Sequence, residues 1–379
     1  MIPVRLYLSP GMFGFASLAA YDYFGHVGRA LTRRFEKEGE RLEVRVCEVH
    51  PTASVRRRGA KLAQMMAHTA GTDDGPIHIL GHSTGGLDAR LVASPAVHID
   101  PEADRQLGWL DRLRSVTTIS TPHYGTPMAT FFATAKGQRL LYALSALTVT
   151  ALKLGAPPLA AASALVAALG RSGEPLGIEL ALVERITSAV SSLLDDASDR
   201  NLRTWLRQVR DDQGGVVQLM PEAMDLFQAG VENRPGVRYQ CVASFAPPPG
   251  PRDFLAVTRS PWAGLSAAIF HLMYRVTGEQ DARYPCAPAD GSADDALFRA
   301  LGEIPAAEAN DGVVPLRSQI WGDVAWTGKA DHLDVVGHFP GPGGHNDWLT
   351  SGARFDLVRF ETVMDRVFEG MLASQTSLL

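Results

Sequence analysis

A short apolar run, Ile77-His78-Ile79-Leu80, breaks directly into Gly81-His82-Ser83-Thr84-Gly85-Gly86, and this stretch constrains the fold of the whole chain. Glycines stand two residues before and two residues after Ser83, giving the spacing G-x-S-x-G. In that arrangement a buried strand turns sharply into a helix, and the serine at the bend takes a strained backbone conformation that presents its hydroxyl. A side chain at either glycine would collide across the crossing. The plain alternative is a glycine-rich turn holding an ordinary serine, and the flanks decide between the two. Pro76 to Leu80 suits a fully buried parallel strand, while Gly86 to Ala93 continues as a helix with Leu87, Ala89, Leu91 and Val92 to pack on a sheet.

The rest of the chain supplies the sheet. Val4 to Leu8 alternates as a strand and runs into the turn Ser9-Pro10-Gly11-Met12-Phe13-Gly14-Phe15. Tyr21 to Gly39 has helical periodicity, Leu42 to Val49 alternates again, and Ser54 to Thr69 reads as helix. Ser115 to Ser120 is a further strand, ending in the loop Thr121-Pro122-His123-Tyr124-Gly125-Thr126-Pro127. Strand and helix alternating in this order predict a parallel α/β sheet, with ligands at the carboxyl edge of the strands.

From residue 131 to 236 the composition shifts to alanine and leucine, and 140–154, 159–169, 178–194 and 202–209 read as helices with no strand between them. This segment is expected to form an inserted helical cap over the catalytic mouth, or a flap able to meet a lipid surface. A buried, immobile hairpin fits the same pattern. Lys153 and the Gly155-Ala156-Pro157-Pro158 break leave no run long enough to span a bilayer. Val237 to Phe245 restores the sheet pattern, Pro261 to Gly278 is helical, Ala287 to Asp295 is expected as a polar loop, and Phe355 to Leu372 closes the domain as an amphipathic helix.

A length of 379 residues accommodates one catalytic domain with that insertion. The net charge of −5 gives no footing for nucleic acid or an anionic membrane, and the run Arg56-Arg57-Arg58 is short. Cys47, Cys241 and Cys286 are too few and too scattered for a disulfide framework or a zinc site. Met1 to Leu8 has no basic region, apolar core or cleavage site of a secretion signal, which fits a cytoplasmic protein or a secreted one whose signal has been removed.

A serine hydroxyl is a poor nucleophile near neutral pH; it requires a histidine to take its proton and a carboxylate to hold that histidine in one tautomer. With the elbow placed first, the order is serine, acid, histidine. His26, His50, His68, His78 and His82 are excluded by that order, and His123 has a positioning role at most. Asp311, in Asn310-Asp311-Gly312-Val313-Val314-Pro315, stands on a tight turn that presents its carboxylate. His332 follows some twenty residues later, and His345 in Gly343-Gly344-His345-Asn346-Asp347-Trp348 is an equal rival on chemistry alone. The oxyanion of an acyl-transfer intermediate requires two backbone N–H donors, one from Thr84 after the nucleophile and one from the early loop, where Met12 is the candidate.

Several patches, in the same order, resemble the bacterial true lipases of the α/β-hydrolase superfamily, the group that includes the Pseudomonas, Burkholderia and Geobacillus triacylglycerol lipases. They are Pro10 to Phe15 with Tyr21-Asp22-Tyr23-Phe24-Gly25, the elbow with Leu87-Asp88-Ala89-Arg90, Ser120 to Gly125, Asn310 to Val314, and Asp331-His332-Leu333-Asp334-Val335-Val336-Gly337. The resemblance selects Ser83, Asp311 and His332 as the triad and implies an α/β-hydrolase fold, a mostly parallel sheet flanked by helices with a helical lid. It implies a serine ester hydrolase acting on hydrophobic esters such as acylglycerols, with no cofactor in the chemistry. An acyltransferase with the same triad, a polyester hydrolase, and a non-catalytic module on the same scaffold are the competing readings. The chain departs from the family in having Pro10 where a histidine usually precedes the oxyanion glycine. Many members hold a structural calcium through the acid two residues after the catalytic histidine, here Asp334. Phe339 stands where one branch has a further acidic ligand, so calcium and a simple hydrogen-bonded Asp334 remain alternatives.

Overall fold

The computed structural model describes residues 2–12, 23–50, 52–99, 107–134, 137–138, 141, 207, 212–250, 261–343, 347 and 349–376. Of the expected cap helices, 140–154, 159–169, 178–194 and 202–209 lie outside the described residues apart from Leu141 and Arg207.

Val4–Ser9 (β1) is buried along its whole length because it has a strand on either side. Leu42–Val46 (β2) pairs with one edge and Ile77–His82 (β3) with the other, followed outward by Leu113–Ile119 (β4), Arg238–Phe245 (β5) and Asp323–Lys329 (β6). The order is β2-β1-β3-β4-β5-β6, and every pair is parallel. After β2 the chain returns past β1 and builds in the opposite direction, so β1 and β3 flank the switch point where open parallel sheets leave a crevice. There the register sets Ser9 beside Gly81, which brings the early loop against the elbow.

The two-residue period of the strands divides the core into two layers. Leu6 and Leu8 of β1 point into a cluster with Val27, Leu31 and Phe35 of Gly25–Lys37 (α1) and with Phe360, Val363, Met364, Val367 and Met371 of Leu357–Thr376 (α9). Tyr7, between them, points to the opposite cluster with Leu62 and Met66 of Val55–Thr69 (α2) and Leu87 and Leu91 of Thr84–Ala93 (α3). Helix α2 starts at Ser54, whose hydroxyl accepts the Arg57 N–H at 3.3 Å, a serine cap that satisfies one of the free first-turn donors. The shorter helices are Pro127–Phe132 (α4), Gly214–Gln218 (α5) and Pro221–Gly230 (α6), followed by Pro261–Gly278 (α7) and Ser292–Leu301 (α8). No described helix is long and apolar enough to cross a membrane.

Two expectations are corrected, and one element is new. The polar loop at Ala287 to Asp295 gives way at Ser292 to α8, whose first turn holds Asp294 and Asp295 where an N-terminal helix dipole favours negative charge. Edge strand β6 was not expected, and β2 stops at Val46 rather than Val49.

Candidate active site

Ser83 occupies the bend between β3 and α3 with φ 54° and ψ −128°, a region a serine enters only when its surroundings enforce it. The glycines explain how the crossing closes. A Cβ at Gly81 would collide with the Gly85 backbone, and one at Gly85 with the Ser9 carbonyl. At Gly11 a Cβ would lie 2.7 Å from Ser83 Cβ, so the early loop packs directly on Ser83. The Ser83 N–H is satisfied by the Ile119 carbonyl at 2.8 Å.

The sheet edge also carries the other two triad candidates. Asp311 is fully buried, and both its oxygens accept: Oδ1 from the Val313 and Val314 N–H groups at 2.9 and 2.7 Å, Oδ2 from Gln319 Nε2 at 3.3 Å and from His332 Nδ1 at 2.7 Å. Because a carboxylate ringed by donors can only accept, the His332 proton sits on Nδ1, leaving Nε2 bare as a proton acceptor. The His332 N–H in turn bonds the Asp311 carbonyl at 3.0 Å, locking the two loops together. His332 and Ser83 line the same cleft.

Thr84 and Met12 line that cleft as well. As the first residue of α3, Thr84 has no intrahelical acceptor for its N–H. The loop carrying Met12 is braced from below. Arg58 of α2 donates through Nη2 to the Pro10 carbonyl and through Nη1 to the His50 carbonyl at 3.1 Å. The same guanidinium pairs with Asp88 of α3 at 2.8 Å, both side chains being wholly buried, and Asp88 also accepts from Ser9 Oγ at 2.8 Å. Phe13 to Asp22, the remainder of the early loop, lies outside the described residues.

Around the polar centre the wall is apolar: Met128, Ala129 and Phe132 of α4, Val216 of α5 with Leu219, and Val313, Val314 and Leu333 enclose a space of about 500 Å³ open to solvent. Of the 131–236 segment, Phe132, Val216 and Leu219 line this cleft. Helix α4 begins at Thr126, whose hydroxyl accepts the Met128 N–H at 3.3 Å ahead of Pro127, and the same hydroxyl donates to the Val313 carbonyl at 2.5 Å. One side chain therefore ties the wall to the acid turn.

His123 stands apart from the reacting groups. Its Nδ1 accepts from Arg90 at 3.2 Å and its Nε2–H donates to Thr118 Oγ1 at 3.1 Å, and burial holds it neutral by lowering its pKa well below the ordinary value. Rival His345 lies outside the described residues. Behind His332, Asp334 Oδ2 accepts the Asp331 N–H at 2.9 Å, and burial raises the pKa of both carboxyls. Burial also pushes Asp347 up to about 8. Among the described residues no group of three or more His, Cys, Asp or Glu side chains is arranged to hold a metal ion. Gln319 and Arg58 brace the site without a sequence signal of that role: Arg58 stands in a short basic run and Gln319 follows Arg317 and Ser318.

No family model matches the chain. Over 120 residues it is 36% identical to the triacylglycerol lipase of Vibrio cholerae serotype O1, a match covering 31% of this chain and 32% of that protein, so it spans about a third of the relative's length. Among solved structures it resembles lipase 1 from Pelosinus fermentans, with TM-score 0.52 and 15% identity over 97% of this chain and 99% of that one. It also resembles Staphylococcus hyicus lipase, with TM-score 0.50 and 17% identity over 98% and 97% of the two chains. At these identities the structural likeness establishes the α/β-hydrolase fold.

Proposed function

We propose that the protein is a serine ester hydrolase of the lipase and esterase type, with Ser83 as nucleophile, His332 as general base and Asp311 as its orienting acid. The observation that carries the reading is the 2.7 Å bond between His332 Nδ1 and Asp311 Oδ2 at the rim of a cleft that also holds a positive-φ serine. His332 Nε2 takes the Ser83 proton as the hydroxyl oxygen attacks the ester carbonyl. The N–H groups of Met12 and Thr84 receive the oxyanion, and His332 then protonates the leaving alcohol. Water, deprotonated by the same imidazole, releases the acid from the acyl-enzyme. Met128, Phe132, Val216 and Leu219 favour a hydrophobic acyl group, which is consistent with acylglycerol or polyester substrates. The structural calcium implied around Asp334 stands as a separate proposal, and no step of the reaction runs through it.

Hydrolysis of p-nitrophenyl esters from short to long acyl chains tests the reading. Ser83→Ala and His332→Ala should each lose on the order of a million-fold in kcat. Activity surviving Ser83→Ala refutes the assignment, and activity surviving His332→Ala alone moves the base to His345. Added alcohol acceptors distinguish acyl transfer from hydrolysis, and a chelator tests calcium.

A further inference from the structure

A second histidine touches the triad. His82, the last residue of β3, is fully buried with its ring centroid 4.7 Å from that of His332. Its Nε2 lies 2.8 Å from the main-chain carbonyl of His332, and its Nδ1 lies 2.5 Å from the Tyr23 hydroxyl. A carbonyl can only accept, so the proton of His82 is on Nε2. Nδ1 is then a bare acceptor, and the Tyr23 O–H donates to it. Tyr23 itself lines the catalytic cleft.

Resting on the Ser83, His332 and Asp311 reading above, we infer that His82 is a positioning residue for the general base, held in its Nε2–H tautomer by Tyr23 so that it fixes the main chain of His332. The base is thus held from two directions, by Asp311 through its ring and by His82 through its carbonyl. The groups facing His82 reinforce this state. Burial above all, then the neighbouring His332 and His338, lower its pKa well below the ordinary histidine value. His82 stays neutral and does not compete with His332 for the serine proton. Fixing the backbone matters because a reacting atom displaced by about 1 Å can cost a hundred-fold in rate.

The test compares Tyr23→Phe, His82→Gln and His82→Leu in p-nitrophenyl ester hydrolysis, alongside proton NMR of the downfield His332 ring N–H that bonds Asp311. Gln keeps an N–H donor for the His332 carbonyl, whereas Leu fills space without one. His82→Leu should lower kcat by up to about a hundred-fold at little-changed KM and broaden the ring N–H signal. His82→Gln should recover most of both, and Tyr23→Phe, which leaves His82 free to change tautomer, should lower kcat several-fold with the same broadening. Equal kcat and signal for Gln and Leu overturn the inference. Should neither position-82 variant fold, Tyr23→Phe decides: wild-type kcat with a sharp signal sinks it. If Ser83→Ala or His332→Ala remains active, the triad reading has failed. If both are dead while His82→Leu matches wild type, only the positioning role has failed.

Discussion

Asp311 shows how much one side chain's hydrogen-bonding capacity decides. All four of its neighbours, Val313, Val314, Gln319 and His332, point donors at it, so an amide in its place must turn its own NH₂ toward one side of that ring. Asp311→Asn therefore drives His332 toward the tautomer with its proton on Nε2, facing the nucleophile as a donor. The expected result is a fall of about 10⁴-fold in kcat with an unchanged circular-dichroism spectrum. His78 gives a prediction on stability. Its Nδ1–H donates to Ser115 Oγ at 2.8 Å, Gln375 donates to its Nε2 at 3.1 Å, and burial lowers its folded pKa to about 3. The unfolded chain, with an ordinary value near 6.5, takes up the proton first as pH falls, so stability present above pH 6.5 is lost progressively toward pH 3. Thermal melts of His78→Gln should decline less than wild type between pH 6.5 and 4. In the sequence, Ser83 and Asp311 stood out as candidates through short-range patterns, glycine spacing and an Asp-Gly turn, while His332 was chosen over His345 by the family resemblance. The contacts of Gln319, Tyr23 and His82 could not be read there, since each depends on a partner brought close only by the fold.

Helices α2 and α3 are joined beneath the early loop by the Arg58–Asp88 pair, and the energetics of a buried pair are asymmetric. Arg58→Met leaves Asp88 charged and unpaired in the interior and should cost about 3–5 kcal/mol in denaturant unfolding. Adding Asp88→Leu should restore much of that stability, because two well-packed apolar groups often match a buried ion pair. Catalysis should stay impaired in the double variant, because the Pro10 carbonyl has lost its donor. Recovery of both together would mean the pair does not place the loop. Helix α2 was readable from periodicity, and β3 from its short continuous apolar run. Helix α8 was hidden by Asp290, Asp294 and Asp295, which suggest a loop until they are seen in or just before its first turn. Gly291 and Gly302, at φ 74° and 78°, bracket it and were the overlooked signal. Strand β6 was hidden by its position: an edge strand, Asp-Val-Ala-Trp-Thr-Gly-Lys, is half-buried and has no strict alternation.

At the scale of the whole molecule, integrity rests on packing rather than cross-links. Cys47, Cys241 and Cys286 are free and buried, and burial pushes each thiol up to about 12. Native protein should not react with dithionitrobenzoate, and labelling of all three thiols should coincide with unfolding as followed by tryptophan fluorescence; fast labelling without denaturant would contradict the packing. The strand order offers a last point. Ser83 leaves β3 at positive φ, and its N–H is caught by Ile119 at the end of β4. Ser120 then leaves β4 at positive φ, and its N–H is caught by Val242 of β5, with Ser120 Oγ 3.0 Å from Ser244 Oγ. The bend at Ser83 is the first step of a staircase whose treads are neighbouring strands, each propping the one before. The conformation of Ser83 is thus tied through β4 to β5, two strands away from the one it leaves.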